Sequence, residues 1–428
     1  IETVPSIKQV IIPINQHLGA PNKPVVNIGD KVIRGQKIAE SATPGHMTVP
    51  VHASISGIVK KIEPRCQSNN TEGLCIFIEA EPAEDAGGNA SSQEVFMPPL
   101  DPFTCPKGDA LARIREAGIL GLGGAGFPTH VKLNPPPGKV IDTIIADGAE
   151  CEPYLTTDEA SMIETPELLI KGLQIVMHIT GVKNAIIGLE DNKTELIPLI
   201  EKEIANAPSD QGKISIGLCL TRYPQGGEKM LITALTGREV PSGGLPMDVG
   251  CIVHNVGTLI AIAQAFTLGK PLIDRVVTVT GGACKTPKNI RTPIGTTLSD
   301  LPQDFIDIDQ SKLAKIIFGG PMMGFAVPSL DIPIQKNTSG IILMTRRETT
   351  AYEETPCIRC GRCIRTCPCR LSPVLMNKYF EAEDFNGAIR AGLLDCTECG
   401  CCAYICPARI KLVQRFRINK QKLRARQK

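Results

Sequence analysis

Eight of the 17 cysteines fall in two runs with one spacing. Cys357, Cys360, Cys363 and Cys367 stand 3, 3 and 4 residues apart, and Pro368 follows. Cys396, Cys399, Cys402 and Cys406 repeat those steps, and Pro407 follows. Thiolates spaced this way hold a [4Fe–4S] cubane: three close cysteines on a tight loop supply three corners, and a more distant one supplies the fourth. Gly361 and Gly400 let each loop wrap its cluster without a Cβ in the way. C-x2-C pairs also occur in structural zinc sites. Two matched runs of four, each closed by Cys-Pro, favour the cubane. Cys369 and Cys401 fall off the spacing and are not assigned as ligands. Such centres move electrons one at a time, so the rest of the chain has to supply or receive them.

The double run resembles that of two-cluster bacterial ferredoxins, where the fourth cysteine of each run serves the other cluster. One cluster would then take Cys357, Cys360, Cys363 and Cys406, and the other Cys396, Cys399, Cys402 and Cys367. Ligation within each run is the alternative. Between the runs, Leu375, Tyr379, Phe380, Phe385, Ile389 and Leu393 recur at helical spacing. That pattern predicts helices around the clusters. After Pro407 come nine Lys and Arg and no acid. This tail is either a solvated helix face or a dock for an acidic partner or anionic membrane surface.

A second set of residues could hold a nucleotide. Gly121-Leu122-Gly123-Gly124-Ala125-Gly126-Phe127-Pro128 offers bare backbone N–H groups to an anion or a flat ring, and Lys132 adds a charge. An ordinary Rossmann fingerprint needs a strand before such a loop and a helix after it. Here residues 109–118 read as a helix, and Pro128 follows at once. An apolar run, Val140–Ala146, predicts a buried strand ending on Asp147, Glu150 and Glu152. Helices are expected over 166–180 and 192–206, with strands over 183–189 and 214–218. Tyr223, Gly226 and Glu228 lead into a further helix. The stretch Cys251–Thr258 reads as a strand turning into a helix over 258–268. Alternating strands and helices argue for a largely parallel sheet covered on both faces, with ligands at its strand ends.

Four of these pieces in order, G-G-A-G-F-P-T with its lysine, A-E-x-E-P, Y-x-x-G-x-E and N-V-x-T-L, resemble the FMN- and NADH-binding subunit of respiratory complex I. The resemblance implies that Gly121, Gly123, Lys132, Asp147, Glu150, Tyr223, Gly226, His254, Asn255 and Thr258 hold FMN. Gly124, Ala125, Phe127, Glu152 and Glu228 would face the nicotinamide nucleotide, with Glu152 and Glu228 as the reactive-site acids. This sequence departs from that family at Asp147 and His254, where the family has asparagines, and at Gly227, where it has an acid. Residues 1–105 carry G-D-K-V-x-x-G-Q and S-G-I-V, which resemble lipoyl and biotinyl carrier domains. Thr43–Met47 replaces the carrier lysine, so a scaffold role is expected. The full order resembles the C subunits of Rnf (Rsx) electron-transport complexes.

That resemblance implies a multidomain chain of mixed α/β and α+β class. A barrel-sandwich domain spans 1–105, an FMN/NADH α/β domain 106–270, a β-grasp domain 271–345 and an α-helical ferredoxin domain 350–428. It implies two [4Fe–4S] clusters, FMN and NAD(H). The partners would be the other Rnf-type subunits, with ferredoxin as a further candidate, at the cytoplasmic face of a cell membrane. The activity would be an NADH-linked oxidoreductase subunit of a cation-translocating complex. A relay or scaffold without nucleotide chemistry and a soluble NADH dehydrogenase are the rivals. A net charge of +2 gives no global pull toward nucleic acid. Seventeen cysteines scattered this way suit a reducing compartment. No apolar run reaches a membrane-spanning length, and residues 82–93 read as a surface loop.

Overall fold

The computed structural model describes residues 1–41, 43, 45–81, 94–208, 211–349 and 352–426. The expected loop at 82–93 lies outside them.

Short strands with alternating apolar positions build two small antiparallel sheets at the N-terminus. Gln9–Pro13, Glu72–Glu79, Gly57–Cys66 and Lys31–Val32 form one, in that order. Asn22–Pro24, Lys37–Ser41 and Val51–His52 form the other. Val10, Ile12, Ile38, Val51, Val59, Ile76 and Ile78 point inward from both, giving a sandwich. The same core continues into Val277, Val279, Ile290, Ile341 and Leu343. Those residues belong to a six-stranded mixed sheet. Its order is Glu2–Thr3, Lys288–Pro293, Asp274–Thr280, Gly340–Thr345, Leu313–Phe318 and Phe325–Val327. The first residues of the chain therefore form an edge strand of a sheet built mostly from residues after 273.

Between these lies the parallel sheet. Thr143–Gly148, Asn184–Glu190, Lys213–Cys219 and Cys251–Asn255 all run the same way. Their spatial order is third, second, first, fourth. The apolar run predicted a first strand from Val140. Val140 is 79% exposed, and pairing begins only at Thr143. Helices Pro166–Thr180 and Val256–Thr267 cover one face through Leu169, Leu173, Val176, Leu259 and Phe266. Helix Glu228–Thr236 covers the other through Leu231 and Ile232. Gly172 lets the two large helices touch: a Cβ there would lie 2.0 Å from the Leu259 carbonyl oxygen.

The cysteine runs sit in a helical module with a core of Met376, Ala388, Leu393, Leu412 and Phe416. The basic tail is part of that core. Helix Leu412–Arg426 buries Leu412, Val413 and Phe416, and three of its cations turn inward as well. Arg415 pairs with Glu354 and Glu381, while Arg417 and Lys420 pair with Glu398 at 3.3 and 3.0 Å. Lys420 also donates to the Cys396 carbonyl at 2.6 Å. This half of the tail braces the second cysteine run rather than standing free as a dock.

Candidate functional site

In the parallel sheet the order reverses between Thr143–Gly148 and Cys251–Asn255. Connections leave these two neighbours in opposite directions, which opens a crevice beyond their carboxyl ends. Asp147 and Asn255 are register partners at that point. A cavity of ≈ 360 Å³ opens there, within the size range of cofactor pockets.

The glycine loop forms one wall. Leu122 N–H donates to the Thr258 hydroxyl at 3.0 Å, which ties the loop to the helix after Asn255. A Cβ on Gly123 would meet the Asn255 side chain at 3.0 Å, whereas Gly124 faces open space. Across the cavity, a Cβ on Gly226 would lie 2.0 Å from the Ala149 carbonyl oxygen. Only glycine lets the Tyr223–Gly227 turn lie this close to the strand end.

Charge is concentrated inside. Burial, then the nearby Asp158 carboxylate, pushes Asp147 well above the usual carboxylate range. Burial and Glu150 raise Asp158 to about 7, although Arg275 and the Asn255 amide pull the other way. Asn255 Nδ2 donates to Asp158 at 2.7 Å. Glu150 accepts from the Thr157 hydroxyl at 2.9 Å and faces Lys193 at 3.5 Å. Arg275 is buried and donates to the Thr338 and Leu122 carbonyls. The site thus holds the Asp147 and Asp158 carboxyls, driven toward their neutral, donating form, beside the buried Arg275 guanidinium.

Of the expected residues, Gly123, Gly124, Asp147, Glu150, Glu152, Tyr223, Gly226, Glu228 and Asn255 line this cavity. Lys132 reaches it indirectly, through a 2.5 Å ion pair with Glu228. Thr258 holds the loop, and Gly121 closes it by donating to the Phe127 carbonyl at 2.9 Å. Ala125 and Phe127 are exposed on the loop but do not form the lining. His254 also falls outside the lining. Strand alternation turns it away from Asn255, and its buried Nε2 has no hydrogen-bond partner among the described residues. Burial and Lys132 hold this imidazole neutral, well below its ordinary pKa. Sequence reasoning missed Asp158, Arg275 and Lys193. A cation opening the apolar strand Arg275-Val276-Val277 was the available signal.

Glu152 does not point a free carboxylate at the cavity. It accepts from Met322 and Met323 N–H at 3.0 and 2.7 Å. The turn it holds lies on the second cysteine loop: a Cβ on Gly400 would come 2.9 Å from the Met322 carbonyl oxygen. That loop itself reaches the cavity, whose wall includes Thr397 and Cys399. The Tyr223 hydroxyl donates to the Cys399 carbonyl at 2.6 Å.

The two cysteine loops are copies 39 residues apart, Cys357 matching Cys396. Left-handed residues recur in step: Arg359 (φ 56°) with Glu398 (60°), Gly361 (70°) with Gly400 (84°), and Arg370 (53°) with Arg409 (56°). One-turn helices follow at Arg362–Arg365 and Cys401–Tyr404. The sulfur groupings cross between copies. Cys357, Cys360 and Cys363 share a cavity of ≈ 470 Å³ with Cys406. A smaller void is lined by Cys396, Cys399, Cys402 and Cys367, with the extra thiols Cys369 and Cys401 on its wall. Among the described residues, no three His, Cys, Asp or Glu groups converge on a single-ion site. A cubane holds its thiolates farther apart than one tetrahedral zinc ion does. The donor set and the paired loops fit two such clusters. The cavity at the switch point, with its glycine walls and buried Arg275, fits a flavin mononucleotide.

Three family models match the chain. They describe an RnfC barrel sandwich hybrid domain over residues 1–83, a Nuo51 FMN-binding domain over 114–264, and a 4Fe-4S dicluster domain over 350–407. The chain is 46% identical to the C subunit of the proton-translocating ferredoxin:NAD(+) oxidoreductase complex of Clostridium ljungdahlii, covering 99% of this chain and 90% of that one. It is 40% identical to the C subunit of the Na(+)-translocating ferredoxin:NAD(+) oxidoreductase complex of Acetobacterium woodii, over 87% and 81%. The C subunit of the ion-translocating oxidoreductase complex of Vibrio cholerae is also 40% identical; the match covers 90% of this chain and 48% of that longer one. Among solved structures, the NAD+-reducing [NiFe]-hydrogenase in its H2-reduced state aligns loosely, at 19% identity and a TM-score of 0.49 over 81% and 68%. Sandwich, flavin module and double cysteine run thus occur here in one order, and the chain belongs to the family of C subunits of ion-translocating ferredoxin:NAD(+) oxidoreductase complexes.

Proposed function

We propose that this chain is the electron-transfer subunit of such a complex, an oxidoreductase component joining NAD(H) to two [4Fe–4S] centres through FMN. The observation that carries the reading is contiguity. The second cysteine run supplies Thr397 and Cys399 to the wall of the flavin-sized cavity, and Tyr223 bonds directly to Cys399. FMN supplies two-electron chemistry with hydride and one-electron chemistry with iron–sulfur centres. The residues supply position and charge. Gly123, Gly124 and Gly226 admit the ring and backbone, Arg275 offers a cation to the phosphate, and Asp147 and Asn255 donate or accept at the strand ends. Glu228, tethered by Lys132, stands at the mouth where a nicotinamide nucleotide would enter. Phe127 and Ala125 on the loop tip would meet the same nucleotide from the other side. Cys396, Cys399, Cys402 and Cys367 are next to the pocket, and Cys357, Cys360, Cys363 and Cys406 come after them.

No helix among the described residues is long and apolar enough to cross a membrane. That suits a peripheral subunit on the cytoplasmic face, held by other subunits of the complex, with ferredoxin as the distant electron partner. The four domains would divide near residues 105, 270 and 350. The mixed sheet at 271–345 would serve as a β-grasp module, a scaffold sharing its core with the N-terminal sandwich. Heat-releasing the flavin from purified holoprotein tests the reading. One free FMN per chain is expected. A folded chain without flavin would instead favour a bare iron–sulfur relay.

A further inference from the structure

The two cysteine loops are copies, and two of their differences fall at the sulfurs. With the 39-residue offset, Cys401 of the second loop matches Arg362 of the first, and Cys369 matches Ala408. Cys401 and Cys369, both off the ligand spacing, line the small void shared by Cys396, Cys399, Cys402 and Cys367. The first grouping gains no extra thiol on the wall of its cavity. Ala408 lies there in place of Cys369, and Arg362 is exposed and lies off that wall.

The local backbone puts Cys401 against a ligand position. Gly400 takes φ 84°, and the one-turn helix Cys401–Tyr404 starts directly after it. Cys401 and Cys399 are both buried and share a side-chain hydrogen bond. A sulfur that ligates iron is a thiolate and can only accept, so the Cys401 S–H is the donor. Cys369 bonds instead to Thr397. Leu371 N–H, 3.4 Å from Cys367 Sγ, is a second donor to the same ring of sulfurs. Cys360, the counterpart of Cys399, is exposed.

Reducing a cluster adds one negative charge. A buried site takes that charge less readily than a solvated one, and hydrogen bonds donated to the ligand sulfurs offset the penalty. We infer that Cys401, itself no ligand, acts through Cys399: its S–H bond draws charge from that thiolate and keeps the flavin-side cluster reducible despite its burial. The first loop, open to water at Cys360, has an arginine at this position and no such thiol. The inference rests on the proposed function in taking the second cysteine run as a cluster site.

The test is an EPR-monitored redox titration of the purified, cluster-loaded, full-length chain. The signal lost in Cys399→Ala marks the flavin-side cluster. In Cys401→Ala the midpoint of that cluster should fall. At the parent midpoint the oxidised-to-reduced ratio should rise about threefold to tenfold, a downward shift of at most about 59 mV for one electron. The other cluster's signal should keep its midpoint. Cys401→Ser retains a donor and should restore most of the parent value. Cys369→Ala takes a thiol from the same void without removing a donor to sulfur, and should leave the midpoint in place. An unmoved midpoint in Cys401→Ala overturns the inference, as does an equal fall in Cys401→Ser or in Cys369→Ala. Loss of the cluster from both Cys401 variants also overturns it, because Cys401 would then be a ligand or a packing residue. A parent chain with no signal that depends on Cys399 would remove the second cluster itself, and the proposed function with it.

Discussion

The Tyr223 hydroxyl donates a 2.6 Å hydrogen bond to the backbone carbonyl of Cys399. It joins the turn that closes the flavin-sized cavity to the second cysteine loop, which carries a proposed iron–sulfur ligand. Burial, then the nearby Glu152 and Cys399, pushes this phenol far above its ordinary pKa, so it stays a donor throughout the working pH range. Tyr223→Phe removes the bond and leaves a buried carbonyl without a donor, at a cost of about 1–3 kcal/mol. Faster amide exchange around residues 397–402, with flavin retained, is the expected result. Exchange unchanged from the parent would show that the bond does not hold the two modules together.

Glu228 and Glu152 were expected to share one role, and their surroundings separate them. Glu228 is a half-exposed acid at the cavity mouth, paired with Lys132. Glu152 is a half-buried acceptor for two backbone N–H groups in the turn against Gly400. Glu228→Gln should raise the KM for NADH several-fold with flavin and melting temperature nearly unchanged, because exposed ion pairs contribute little to stability. Glu152→Gln should lower thermal stability and loosen flavin, with the loss read as faster flavin release on dilution. A selective KM effect in Glu152→Gln would restore the sequence-based assignment.

Lys336 is a fully buried ammonium donating to the Pro50 and Gly118 carbonyls at 3.0 and 2.7 Å. Burial lowers its pKa from 10.5 to about 7. Between those values the unfolded chain binds the proton and the folded chain does not, so stability should rise with pH from about 7 toward 10.5. Below 7 the penalty is fully present and adds no slope. In Lys336→Met this part of the slope should vanish. Melting temperatures of parent and variant across pH 7 to 10 decide it: parallel curves would mean that Lys336 keeps an ordinary pKa.

Much of the site was legible because spacing alone dictates it. Three thiolates at steps of 3 and 3 can hold three corners of a cubane almost regardless of what surrounds them, and Asp147 was readable as the end of a buried strand. What escaped depends on tertiary packing. Arg275 and Asp158 come from different modules, and nothing local says that they meet. His254 occupies a family position, yet strand alternation turns it from the cavity. Nine tail cations looked like a free surface, but Phe416 among them is wholly buried and draws Arg415, Arg417 and Lys420 onto acids. Truncation after Leu412 would therefore open the ferredoxin core, since deleting a buried phenylalanine alone costs about 3–5 kcal/mol.

The crossed sulfur groupings carry their own consequence. Cys406 shares a cavity with Cys357, Cys360 and Cys363, not with its own run. Cys406→Ala should perturb the same EPR signal as Cys360→Ala and spare the one lost in Cys399→Ala. The opposite pattern would establish ligation within each run.

The central claim is that one chain links a nicotinamide nucleotide to two iron–sulfur centres. Titrating NADH into the purified, cluster-loaded chain under anaerobic conditions, followed by visible absorbance and EPR, tests it most directly. The account predicts bleaching of a flavin band together with reduced-cluster signals, and a loss of cluster reduction when the flavin is removed. Clusters that dithionite reduces but NADH does not, in a chain that retains its flavin, would contradict it.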